Sequence, residues 1–115
     1  AIIDSLLGAL ALGDIGQLFP DCSMDYKDID SRILLKKTYD IIKDKGYQLI
    51  NLDSVICAQK PKLKDYISQM RTNIAEDLGA DISQVSVKAT TEEHLGISGS
   101  EKGMTAYSTV LLEKY

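Results

Sequence analysis

The sequence predicts an α/β fold, and three observations carry the prediction. Apolar residues recur at helical spacing in three segments, and they alternate with polar residues in three others. The segments follow one another in the order ααβαβ(α)β, which contains one β-α-β unit. The chain has 115 residues, 44% apolar and 26% charged, which suits one soluble domain with a single core.

Residues 1–12 read as the first helix. Ile3, Leu6, Leu7 and Leu10 fall on one face, and Gly13 ends it. Neither methionine nor a capping residue opens it, so the chain is expected to begin inside a helix, with earlier turns missing. It has no basic stretch or cleavage signature of a signal peptide. Ser31 is expected to cap the second helix. Leu34, Leu35, Thr38, Ile41 and Ile42 are its buried stripe, and Gly46 stops it.

Residues 48–59 read as a strand. Ile50, Leu52, Ile56 and Ala58 share one face, and Asn51, Asp53, Val55 and Cys57 share the more polar one. The third helix follows, with Leu63, Tyr66, Ile67, Met70, Ile74 and Leu78 in its core stripe and Gly79 at its end. Residues 85–89 alternate as a short strand. Thr90 and Glu93 then have the spacing of a capping box, which predicts a short helix at the strand end. After a glycine-rich stretch, residues 104–112 alternate as the last strand, with Met104, Ala106, Ser108, Val110 and Leu112 on one face. If the strands of the β-α-β unit are parallel, its crossover is right-handed.

Composition narrows the function. A net charge of −4 argues against nonspecific nucleic-acid binding, which needs a basic face. The apolar runs are too short to cross a bilayer. Cys22 and Cys57 have no metal-ligand spacing and read as reduced thiols in a reducing compartment. A Walker loop, a G-x-G-x-x-G after a strand, and a Ser or Cys nucleophile with a histidine base are all missing. His94, the one histidine, follows two glutamates and reads as a surface residue.

Three stretches are candidates for ligand contact. The first is Gly13-Asp14-Ile15-Gly16-Gln17-Leu18-Phe19-Pro20-Asp21. There Gly16 would let a ligand approach the main chain, Pro20 biases Phe19 toward an extended shape, and Asp14 and Asp21 can accept hydrogen bonds from hydroxyls. Its plainer reading is a helix stop followed by a proline turn. The second is Ala58-Gln59-Lys60-Pro61-Lys62, whose main chain and lysines could hold a base edge and phosphates. The third is Ala89-Thr90-Thr91-Glu92-Glu93, with hydroxyls and N–H groups suited to an anion. The plainer reading of both is a cap with solvated charges. Both follow strands of one sheet, where ligands sit in open α/β folds.

Taken together, these stretches resemble the 2-C-methyl-D-erythritol 2,4-cyclodiphosphate synthase family of the non-mevalonate isoprenoid pathway. The resemblance also runs through Asp30-Ser31-Arg32, Gln69-Met70-Arg71, Ile74-Ala75-Glu76-Asp77-Leu78-Gly79 and Val87-Lys88-Ala89. It implies a mixed sheet backed by helices on one face, in a homotrimer whose sheets face the trimer axis and whose active sites lie between subunits. It also implies an enzyme that closes a cyclic diphosphate on a cytidine diphosphate substrate and releases CMP. Zinc polarises the β-phosphate and magnesium bridges the diphosphate. Nucleic acid and membrane are not among its partners, and the compartment is the bacterial cytoplasm or a plastid-type organelle.

Carried over by motif, Asp14, Ile15 and Gly16 would line the methylerythritol pocket. Phe19, Pro20, Asp21, Cys22 and Ser23 would form its adjoining wall. Ala58, Gln59, Lys60, Pro61, Lys62, Leu63 and Lys64 would cradle the cytidine, with Lys62 reaching phosphate. Ala89, Thr90, Thr91, Glu92 and Glu93 would complete the nucleotide site, and Thr91 would hold the diphosphate during displacement. Ile97 and Ser100 also fall at substrate-contacting positions, where the family often has Phe and Arg.

The family's zinc ligands, an Asp-x-His and a first-helix histidine, are expected upstream of Ala1. The chain is therefore expected to be one synthase domain, residues 1–115, without its N-terminal strand region, and by itself to hold no zinc and turn nothing over. A non-catalytic nucleotide-binding or assembly module on the same fold is the alternative, and the C-terminal part of a fusion with a cytidylyltransferase is a third.

Overall fold

The computed structural model describes residues 1–19, 30–59, 62–91 and 103–115. Among the described residues there are four α-helices: α1 (Ile2–Ala9), the single turn α2 (Ile15–Leu18), α3 (Ser31–Asp44) and α4 (Ile67–Leu78). The strands are β1 (Tyr47–Cys57), β2 (Val85–Thr90) and β3 (Thr105–Lys114). They form one mixed sheet in the order β2-β1-β3, with β1 parallel to β2 and antiparallel to β3.

The expected β-α-β unit is therefore β1-α4-β2. Helices back one face of the sheet: α1 lies against β3, α3 against β1 and α4 against β2. Leu6 and Leu7 of α1, Ile42 of α3, Leu52 of β1 and Val85 of β2 are almost fully buried between the layers. The outward residues of the opposite face include Asn51, Asp53, Ser86, Lys88, Tyr107, Thr109 and Leu111, all exposed.

The strict alternation expected in β1 is interrupted at Ile50, and Cys57, expected on the more polar face, is buried at the strand end. Leu49 pairs with Leu112 and Asn51 with Leu111, so Ile50 is an extra residue at a bulge. A bulge resets which side chains face in. Leu49 and Leu52 are both buried as a result, and Ile50, expected in the core, is 37% exposed.

Several element ends also differ from expectation. The first helix stops at Ala9 rather than near residue 12. Leu12 N–H donates to Leu7 O at 2.9 Å and Ala11 N–H to Gly8 O at 3.1 Å, a Schellman closure. Ala11 takes its left-handed position, at φ 57°. Asp30, not Ser31, caps α3, because its carboxylate accepts from Arg32 N–H at 2.8 Å. The third predicted helix opens with a 3₁₀ turn, Lys64–Tyr66, before α4. That turn leaves Tyr66, expected in the core stripe, 58% exposed. Gly79 ends α4 in the left-handed region, as expected. The last strand begins at Thr105, leaving Met104 outside it and exposed.

Polar side chains tie the layers together. Arg32 of α3 donates Nε–H and an Nη2–H to the two oxygens of Asp77 on α4, both at 2.9 Å. The Asp77 side chain is 1% exposed. Arg71 of α4 donates to Val85 O at 2.7 Å and Ile82 O at 2.9 Å, fixing the start of β2. Ahead of β2, Gln84 Nε2–H reaches Leu49 O and Ile50 O of β1, each at 3.1 Å.

Candidate functional site

The parallel strands β1 and β2 end side by side. Cys57 pairs with Thr90, and Ala58 N–H continues the ladder to Thr90 O at 3.1 Å. Just beyond lies a cavity of about 110 Å³. Its described walls are Ala58, Gln59, Lys62, Leu63, Lys64, Ala89, Thr90 and Thr91. Two sequence stretches separated by some thirty residues thus meet at the carboxyl ends of adjacent parallel strands, where open sheets bind ligands. Lys62 and Lys64 bring ammonium groups to an exposed rim, and Thr90 and Thr91 bring hydroxyls. Thr90 is the last residue of β2, and its hydroxyl donates to Thr91 O at 3.4 Å.

Lys60, Pro61, Glu92, Glu93, Ile97 and Ser100 lie outside the described residues. So do His94 and the helix expected from Thr90 and Glu93.

Asp14, Ile15, Gly16 and Phe19 gather elsewhere, on the α2 turn, which packs against α1. None of them lines the cavity at the ends of β1 and β2. Asp14 caps α2: its carboxylate accepts Gln17 N–H at 2.9 Å. Gly16, expected to let a ligand approach the main chain, sits in the turn with an ordinary φ, and a Cβ there would meet only Asp14 Oδ1, at 3.4 Å. The left-handed glycine is Gly13, at φ 92°, where the chain turns from α1 toward α2. Phe19 follows α2 at φ −125° and ψ 79° and is buried. Pro20, Asp21, Cys22 and Ser23 lie outside the described residues.

A second, larger cavity of about 350 Å³ lies between the helices and the sheet, lined in part by Ile3, Ile56, Met70 and Ile74. It shares no residue with the strand-end cavity.

A family model described as the YgbB family matches residues 1–113. The chain belongs to the YgbB family. It is 57% identical to the 2-C-methyl-D-erythritol 2,4-cyclodiphosphate synthase of Finegoldia magna over 114 residues, which is 99% of this chain and 72% of that protein. It is 53% identical to the synthase of Bacteroides fragilis over the same shares. Among solved structures, it superposes on the bifunctional IspDF of Campylobacter jejuni with a TM-score of 0.94 at 46% identity, covering 98% of this chain and 31% of that one. It matches the CDP complex of Plasmodium falciparum IspF with a TM-score of 0.87 at 37% identity, covering 99% and 68%.

The electrostatics of this YgbB-family chain are simple outside the site. On the open sheet face Lys88 donates to Asp53 at 2.8 Å, and the hydrogen bonds from Lys88 and then Ser86 hold Asp53 below its ordinary pKa of 3.8. Among the described residues no group of three or more His, Cys, Asp or Glu could hold a metal ion. Those residues alone do not fit the zinc that the resemblance implies. No described helix is long and apolar enough to cross a membrane.

Sequence reading missed the residues that hold the site in place. Arg32, Arg71 and Asp77 were noticed only as parts of the resemblance. Asp81 and Gln84 form a reciprocal capping box just before β2. Its Asp-x-x-Gln spacing was visible in the sequence.

Proposed function

We propose that this chain acts as a 2-C-methyl-D-erythritol 2,4-cyclodiphosphate synthase. In that reaction the 2-phosphate of 4-diphosphocytidyl-2-C-methyl-D-erythritol 2-phosphate attacks its own β-phosphorus. A new phosphorus–oxygen bond closes the ring. The bond between the β-phosphorus and the bridging oxygen breaks, and that oxygen leaves on CMP. The observation that carries the proposal is the cavity at the ends of β1 and β2, lined by Ala58, Gln59, Lys62, Leu63, Lys64, Ala89, Thr90 and Thr91. Relatives at 51–57% identity bear the name of this enzyme, and two structural neighbours are described with CDP.

The cytosine ring sits in the small cavity against Ala58 and Ala89. Lys62 and Lys64 meet the diphosphate, and the Thr91 hydroxyl donates to it as charge moves toward the leaving CMP. Asp14 accepts hydrogen bonds from the methylerythritol diol, and Ile15 and Gly16 supply the wall behind it. The nucleophile belongs to the substrate, so the protein's task is to position the two phosphates and neutralise charge. Zinc and magnesium, implied by the resemblance, would supply charge neutralisation at the diphosphate when bound. No step is assigned to them on the described residues. The compartment this reading expects is the bacterial cytoplasm or a plastid-type organelle.

The test is CMP release from the diphosphocytidyl substrate by the intact enzyme with zinc and magnesium supplied, paired with a CDP titration. Release of CMP together with the cyclic diphosphate is expected. CDP binding without any CMP release would reduce the chain to a nucleotide-binding module.

A further inference from the structure

The α2 turn is short, and none of Ile15–Leu18 is buried, although Phe19 just after it is. The turn's hold on the rest of the fold therefore depends in part on individual bonds. Within the turn, Asp14 O accepts Leu18 N–H at 3.1 Å and Ile15 O accepts Phe19 N–H at 2.8 Å. Gln17 N–H is taken by the Asp14 side chain. The first N–H of the turn goes elsewhere: Ile15 donates to Asp4 Oδ1, eleven residues back in α1, at 2.8 Å.

Asp4 lies in the first turn of α1, where a carboxylate also favours the helix dipole. The dipole needs only a negative charge there. It does not need that charge aimed at Ile15. A carboxylate accepting a backbone N–H is a charge-assisted bond, stronger than a neutral one. Here it fixes the peptide between Asp14 and Ile15, the pair that the proposed function puts on the methylerythritol diol. Packing of the turn itself is partial, with Ile15 and Leu18 half-buried against the core and Phe19, just beyond it, buried.

We propose that Asp4 is a positioning residue for the reaction. It acts through Ile15 N–H to set where the Asp14 carboxylate and the Gly16 main chain meet the sugar half of the substrate. This rests on the proposed function, and it adds a residue that touches neither the substrate nor the nucleotide cavity.

The experiment compares Asp4→Ala and Asp4→Asn in the intact enzyme. Asp4→Ala removes the acceptor, while Asp4→Asn keeps an oxygen to accept Ile15 N–H and loses the charge. Misplacing a substrate contact by about 1 Å can cost about a hundredfold, so kcat/KM for CMP release should fall by about tenfold to a hundredfold in Asp4→Ala. Asp4→Asn should recover most of that loss. CDP affinity should stay at the unsubstituted value in both, because the nucleotide cavity lies on other elements. The exchange of the Ile15 amide should quicken in Asp4→Ala only. A purely helical role predicts the opposite grouping, with both variants losing stability alike and neither losing kcat/KM. Normal kcat/KM in folded Asp4→Ala would overturn this proposal alone. So would a parallel fall in CDP affinity. Absence of CMP release from the unsubstituted enzyme would instead overturn the function, and the role of Asp4 with it.

Discussion

At the scale of single residues, two backbone positions make opposite demands. Ala11 takes the left-handed conformation that closes α1, at φ 57°. An alanine there carries about 1–2 kcal/mol of strain from its Cβ, which glycine escapes. Ala11→Gly should therefore raise stability by about 0.5–1 kcal/mol, part of the relief being offset by the freer unfolded chain. A urea midpoint that falls instead would mean that the alanine methyl packs usefully.

Gly16 has no such backbone need, and an added Cβ finds only Asp14 Oδ1 at 3.4 Å. Gly16→Ala should leave the fold intact, or stabilise it by about 0.5 kcal/mol, because alanine is the better helix former. If substrate approaches this main chain, kcat/KM should nonetheless fall. An enzyme with unchanged melting and unchanged turnover would remove Gly16 from the site.

The sequence could not separate these two residues. A Gly in a loop-like stretch reads as a special backbone position, and an Ala near a helix end reads as more helix. What decides between them is where the last carbonyls of α1 find partners, and that depends on Leu12 folding back to Leu7.

At the scale of elements, the motif-bearing side chains divide into those proposed to meet ligand and those that hold the frame. The periodic parts were legible. The stop at Gly79 and the alternation of Val85 to Lys88 follow from local spacing, and the structure keeps both; of the α3 stripe Leu35, Thr38 and Ile42 are buried, Leu34 and Ile41 are half-buried, and Tyr39 is buried in addition. The bulge at Ile50 was not legible, because it depends on how β3 pairs. Tyr66 was misread for a related reason: a 3₁₀ turn before α4 changes the angular step between residues.

The Arg32–Asp77 pair shows the frame at work. Asp77 is buried, so removing Arg32 strands a carboxylate that, among the described residues, only Lys36 approaches, at 3.7 Å. Arg32→Met should cost about 3 kcal/mol, the lower end for a broken buried pair, since Arg32 is itself partly exposed. Replacing both residues with apolar ones should recover much of that stability. A double variant no better than Arg32→Met alone would show that the pair contributes more than charge balance.

On the open face, Asp53 titrates below its ordinary value because Lys88 and Ser86 hydrogen-bond its charged form. The folded pKa is lowered, so the contribution to stability is present above pH 3.8 and is lost as pH falls below it. Asp53→Asn should flatten the acid limb of the stability curve without changing its neutral plateau much, because the pair is exposed. An identical acid limb in the two proteins would discount the Lys88 contact in solution.

At the scale of the whole molecule, the candidate site is in two halves that one chain keeps apart. The cavity proposed for the nucleotide lies at the end of β1 and β2. The α2 turn hangs from α1, which packs on β3, the opposite edge of the sheet β2-β1-β3. No residue of the turn lines the cavity. A single substrate that touches Asp14 with its sugar and Thr91 with its diphosphate would need the turn from one subunit and the strand ends from another. Tyr107 and Leu111, 61% and 57% exposed on the sheet face that no described helix backs, are surface available for burial between copies. A closed ring of three, as the resemblance implies, uses the same heterologous contact three times.

Complementation tests the arrangement directly. Asp14→Ala and Thr91→Val should each abolish most turnover when expressed alone. Co-expressed in equal amounts, they should assemble some interfaces with an intact Asp14 from one subunit and an intact Thr91 from its neighbour. Random assortment around a ring makes about a quarter of the sites whole, so about a quarter of wild-type turnover should return. If both halves came from one chain, every site would carry one lesion and nothing would return. Recovery near a quarter would support shared sites, and recovery of zero with mixed oligomers present would rule them out.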